Sequence, residues 1–169
     1  MKALAHVLVA LGLVALQAAV LRWLGGGAFS IAVAACCVVW FGLHEGNVDG
    51  SVAAAGTGYV LDLVTGAPKG LHTFLCVLLF VATRAVAAAV DVKGRAPFAL
   101  LSGLGALVVS VGALLLTRYT SSPDLAPGAL LVPRMLVEAL ATAAASPLVW
   151  MLLRRVDLAF EREEPGLLR

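Results

Sequence analysis

Six apolar runs follow one another along the chain, at residues 3–21, 28–43, 50–64, 71–90, 97–117 and 130–153, separated by short stretches of Gly, Pro or charged residues. Each run approaches the roughly 20 residues a helix needs to cross a bilayer core of ~30 Å. Together they consume nearly the whole of the 169 residues, leaving little chain for a soluble domain. With 62% hydrophobic and 13% charged residues and a mean hydropathy of +1.01, the composition agrees. The expected fold is therefore all-α, a polytopic bundle of six transmembrane helices over residues 1–155 followed by a short cytoplasmic tail at 156–169.

The first run has the charged start of a secretory leader, but it is long and no A-x-A site follows, so it reads as the first transmembrane helix. The third run is the least apolar. Its small side chains, SVAAAGTGYV, would be stable mainly when packed against other helices, which places it at the bundle centre. Small residues four apart recur at Ala54 and Gly58, Ala85 and Ala89, Ser102 and Ala106, and Ala139 and Ala143, as tight helix packing in lipid requires. Pro133 falls in the first turn of the last helix, where its missing N–H is tolerated, and Pro147 falls inside it, predicting a kink near Ala143.

Lys and Arg in short loops accumulate on the cytoplasmic side. With the N-terminus inside, Lys2, Lys93, Arg95, Arg154, Arg155, Arg162 and Arg169 lie there, against Arg22, Lys69 and Arg118 outside. Both termini are expected in the cytoplasm. The net charge of +2 is spread over loops and tail with no basic stripe, which excludes a nucleic-acid surface.

Four ionisable residues fall within the runs: Asp62, Arg84, Arg134 and Glu138. Such residues are costly at membrane depth, and they mark functional or structural sites. Counting helical rise from the nearest span end puts Asp62 and Arg134 at similar depth in the outer half, and Glu138 follows Arg134 on one helical face. This predicts an intramembrane polar cluster of Asp62, Arg134 and Glu138 joining the third and sixth helices, the alternative being that Asp62 and Arg134 simply reach water at the interface. Arg84 lies near the opposite surface, where it is expected to snorkel to cytoplasmic headgroups or pair with Asp91.

Catalytic patterns are absent. His44-Glu45-Gly46-Asn47-Val48 starts like HExxH but lacks the second histidine, and no histidine follows His72 to serve a later serine. Asp49 and Asp62 are ~20 Å apart along one helix and cannot share a proton. Lys69 in GAPKG lacks phosphate-loop spacing, and Cys36, Cys37 and Cys76 form no metal-ligand pattern. No catalytic, cofactor-binding or metal residue is expected; His6 and His72 read as interfacial or packed, and Trp23, Trp40 and Trp150 as interface anchors.

The segment GYVLDLVTGAPKGLHTF, with Gly58, Asp62, Gly66, Pro68 and Gly70, followed by LCVLLFVATR, resembles the signature region of the MreD family of bacterial inner-membrane proteins. Pro133, Arg134, Glu138 and Pro147 before Leu152-Leu153-Arg154-Arg155 are similar to that family's last helix. The resemblance implies a multi-pass, non-catalytic adaptor in the bacterial cytoplasmic membrane that binds MreC. Through MreB, RodA and a class B penicillin-binding protein, it would support peptidoglycan synthesis and rod shape. An alternative of another class is the substrate-binding S-component of an energy-coupling-factor vitamin transporter, also a small six-helix membrane protein, whose ligand the outer polar cluster would face.

Overall fold

The computed structural model describes residues 8–17, 32–65, 68–90, 94–120 and 131–161, and among these it contains helices and no strand. The described helices are α1 (Leu8–Gln17), α2 (Val33–His44), α3 (Asn47–Thr65), α4 (Leu71–Ala89), α5 (Arg95–Thr120) and α6 (Leu131–Glu161). Three segments, Leu71–Ala89, Arg95–Tyr119 and Val132–Val156, are long and apolar enough to cross a membrane. Helical character is thus as expected, with two adjustments. Helix α6 runs past Val156 to Glu161, into the segment expected as a tail, and α2 is only 12 residues long. Residues 162–169, Trp23, His6, Asp91 and Lys93 lie outside the described residues, as does most of the 118–129 connection.

Helix α2, rather than α3, occupies the centre. It touches α3, α4, α5 and α6, and its residues from Ala34 to Gly42 are all buried. Trp40 and Phe41 are its largest buried side chains, joined in the core by Phe98 and Leu153. Trp40 was expected as an interface anchor, but its ring is 1% exposed and meets Phe98 and Trp150 edge-on. An apolar helix buried on every side has no outward face to keep in lipid, which is how so short an element holds its place.

Around α2, α5 packs along α6 and α3 along α4. Helix α3 buries Gly50, Ala53, Ala54, Thr57, Gly58 and Asp62, a single stripe of small residues at helical spacing, and leaves Val52, Tyr59 and Leu63 exposed on the other side. Helix α4 answers with Leu71, Leu75, Cys76, Leu79, Phe80 and Thr83. Between α5 and α6 the close approach falls at Gly103, where a Cβ would lie 3.0 Å from that of Ala143. Ala85 and Ala89 are both exposed, so that small pair marks no helix contact. Along the outside, Phe74, Leu78 and Val81 of α4 and Leu100, Leu104 and Val108 of α5 form exposed apolar rows at four- and three-residue spacing, as lipid-facing helices do.

Helix α6 continues through Pro147. A proline cannot donate to the carbonyl four residues earlier, here Ala143, and the hydroxyl of Ser146 donates to that oxygen at 2.8 Å instead.

Candidate functional site

Helix α3 ends in Leu61-Asp62-Leu63-Val64-Thr65, and α4 begins at Leu71 after the Pro68-Lys69-Gly70 turn. Gly70 adopts φ +93°, a left-handed conformation that a residue with a Cβ rarely takes. The turn brings the start of α4 back against the last turns of α3. It can do so because Gly58 has no side chain: a Cβ there would sit 2.5 Å from Thr73 Cα and 2.6 Å from the His72 carbonyl oxygen.

The first amides of a helix have no partner within it, and in an apolar medium each must find one. Those of α4 are all accounted for. Leu71 N–H donates to the Pro68 carbonyl at 3.1 Å, and Phe74 N–H closes the first helical turn on Gly70 at 2.9 Å. The remaining amides go to Asp62. Its Oδ2 accepts from Gly70 N–H at 3.0 Å and Thr73 N–H at 3.3 Å, and its Oδ1 from His72 N–H at 2.8 Å. The Thr73 hydroxyl adds 2.9 Å to Oδ2 and the His72 ring, through Nδ1, 2.9 Å to Oδ1. A carboxylate borrowed from the preceding helix therefore caps α4, and it sits where the positive end of the helix dipole favours a negative charge. Asp62 is 4% exposed.

The expected cluster of Asp62, Arg134 and Glu138 is not formed. Helices α3 and α6 do not pack along each other, and Arg134 is exposed and absent from the partners of Asp62. The carboxylate is taken instead by donors a few residues further along its own chain. Glu138 is half-buried and accepts from the Ser110 hydroxyl of α5 at 3.2 Å. Of the signature turn, Gly58, Asp62, Pro68 and Gly70 come together here, and Gly66 lies outside the described residues.

Arg84 also departs from expectation. Its Nη1 donates to the carbonyls of Glu45 at 2.7 Å and Gly42 at 3.5 Å, and its Nη2 to the Asn47 side chain. The guanidinium thus closes the C-terminal end of α2 and the turn into α3, where a cation suits the helix dipole, rather than reaching headgroups. At the other end of α2, Ala32 N–H donates to Thr142 Oγ1 at 2.9 Å and Val33 N–H to Gln17 Oε1 at 3.1 Å. Both ends of the central helix are held by side chains from three others.

Beside the α3–α4 turn lies a cavity of about 300 Å³, walled by apolar residues of α1 to α5 and by Gln17, His72, Ser110 and Glu138. It lies at the end of the bundle expected to face outward and is large enough for a small guest with one or two polar groups. The Ser110 hydroxyl is directed to Glu138, so the serine–histidine hydrogen bond that would raise a nucleophile is not what the residues make. Among the described residues no group of three or more His, Cys, Asp or Glu is placed to hold a metal ion. Comparison with models of protein families, with curated proteins and with solved structures gives no match in any of the three.

Proposed function

We propose that this chain is an MreD-like adaptor: a six-span, non-catalytic protein of the bacterial inner membrane, with both termini in the cytoplasm, that binds MreC. Through MreC it would act with MreB, RodA and a class B penicillin-binding protein in rod-shape maintenance. The observation that carries the reading is the use made of the signature residues. Asp62, Gly58 and Gly70 are all spent on fixing the α3–α4 hairpin, and none is left projecting toward a substrate. Residues kept for architecture suit a protein whose product is a shaped surface in the membrane, on which another helix can dock.

The cavity walled by His72, Ser110 and Glu138 favours the second reading, an S-component that holds a small vitamin-like ligand from the outer side. Affinity purification of the tagged full chain from its native membrane in mild detergent, with mass spectrometry of what accompanies it, separates the two. MreC is the expected companion, with or without RodA and its penicillin-binding partner. Transporter ATPase subunits or a bound vitamin in place of MreC would replace the adaptor with the S-component.

A further inference from the structure

A second cavity, of about 610 Å³, opens at the opposite end of the bundle, where α2 and α6 end and α5 begins. Its walls are Trp40 and His44 of α2, Gly94 and Arg95 at the start of α5, and Trp150, Arg154 and Leu158 of α6. We propose that it binds the phosphate of an anionic phospholipid headgroup, with Arg95 and Arg154 as its cations and the Trp40 indole N–H as a neutral donor. The inference is independent of the adaptor reading.

Three observations converge on an anion. The Trp40 ring is 1% exposed and stacked on His44 with centroids 3.8 Å apart, yet its Nε1–H, a group that only donates, has no acceptor. Buried donors are rarely left so; Nε1 is itself inaccessible where it stands, so an acceptor in the cavity that Trp40 lines would complete it after a small shift of the ring. Next, the guanidinium carbons of Arg95 and Arg154 lie 5.0 and 4.9 Å from the centroid of the same Trp150 ring. The ring face attracts each cation, but it does little to offset their mutual repulsion; an anion shared between them does. Lastly, among the described residues no acidic side chain lines the cavity.

The lipid, rather than a free anion, is favoured by what flanks Arg154. Met151 and Leu158, one turn to either side on the same face of α6, are 40% and 48% exposed, which provides an apolar track beside the cation. A phosphate between the arginines with acyl chains along that track satisfies both. This end of the bundle also carries Arg84 and Arg155, and on the charge count it is the cytoplasmic end, facing the leaflet whose surface is negative and whose headgroups basic pockets recognise.

The test uses the full chain in a neutral detergent, titrated with phosphatidylglycerol or phosphatidylcholine and read by native mass spectrometry. Phosphatidylglycerol is expected to be retained and phosphatidylcholine not. The double variant Arg95→Gln/Arg154→Gln should hold phosphatidylglycerol about tenfold more weakly and each single variant severalfold more weakly, whereas Arg155→Gln, the loss of one charge outside the cavity, should hold it as the parent does. Equal retention of the two lipids, equal weakening by Arg155→Gln, or no weakening by the double variant would overturn the proposal. If the double variant does not fold, Trp40→Phe, which removes the N–H together with part of the ring, is expected to weaken retention several-fold; an unchanged value would overturn the role assigned to that N–H. Inorganic phosphate added as a competitor distinguishes the sources: displacement of the lipid at concentrations comparable to the lipid's own would assign the site to a free anion and overturn the lipid reading.

Discussion

Asp62 spends one carboxylate on five donors at the start of α4. Removing an acceptor from buried donors costs more than the bonds themselves contribute, because in lipid no water replaces it. Asp62→Ala should lower stability by on the order of 3 kcal/mol, and Asp62→Asn, which keeps one acceptor oxygen, by about half as much. Thermal denaturation of the two variants in detergent would measure the difference. Because Arg134 is not among the partners of Asp62, the double variant Asp62→Arg/Arg134→Asp should be no better folded than Asp62→Arg alone; rescue would restore the discarded pair. Gly58 makes the matching demand in space. Gly58→Ala forces a Cβ against the backbone of α4 and should cost roughly 1–3 kcal/mol, while Gly56→Ala, with nothing within 4 Å of the new atom, should be neutral or slightly stabilising in the same assay.

At the scale of elements, charge in this bundle serves helix ends. Asp62 caps the start of α4, Arg84 closes the end of α2, and the neutral Gln17 and Thr142 take the first amides of α2. Thr142→Val keeps the shape of the side chain and withdraws the acceptor from Ala32 N–H, so a loss of about 1–2 kcal/mol is expected in the melting of the purified protein. The neutral Gln17 and Thr142 did not stand out in the sequence, and Arg134, which did, is exposed; Asp62 and Arg84 were legible, since an acid or a base within an apolar run has few innocent uses. Their partners were not. Depth counted along separate helices matches residues that lie side by side in a straight bundle, whereas Asp62 is answered by a chain that turns back at Gly70, a few residues away. The signal was present in the motif itself, an acid followed after one turn segment by Pro, Gly and a fresh helix start. The central place of α2 had no such signal. It is uniformly apolar, as a lipid-facing helix would also be, and only tertiary contacts separate the two cases.

For the whole molecule, the alternation of helices gathers Arg84, Arg95, Arg154 and Arg155 at one end and Lys69, Arg118 and Arg134 at the other. Cys36, Cys37 and Cys76 are buried, so a membrane-impermeant maleimide should leave the parent protein unlabelled in intact cells. In that silent background Lys69→Cys is expected to label from outside, and Arg155→Cys only after the cells are permeabilised; the reverse pattern would invert the bundle and move the arginine-walled cavity to the outer leaflet. The short α2 has a consequence for biogenesis as well. Twelve residues rise only ~18 Å, less than the bilayer core, and the groups that close this helix arrive at Arg84 and Thr142, long after the ribosome has made it. The second helix therefore waits. Gln17 is already in place for the Val33 amide, but until the last helix is synthesised the Ala32 amide must stay near water, so a chain halted before Thr142 is left with its middle incompletely anchored, the form on which membrane quality control would act.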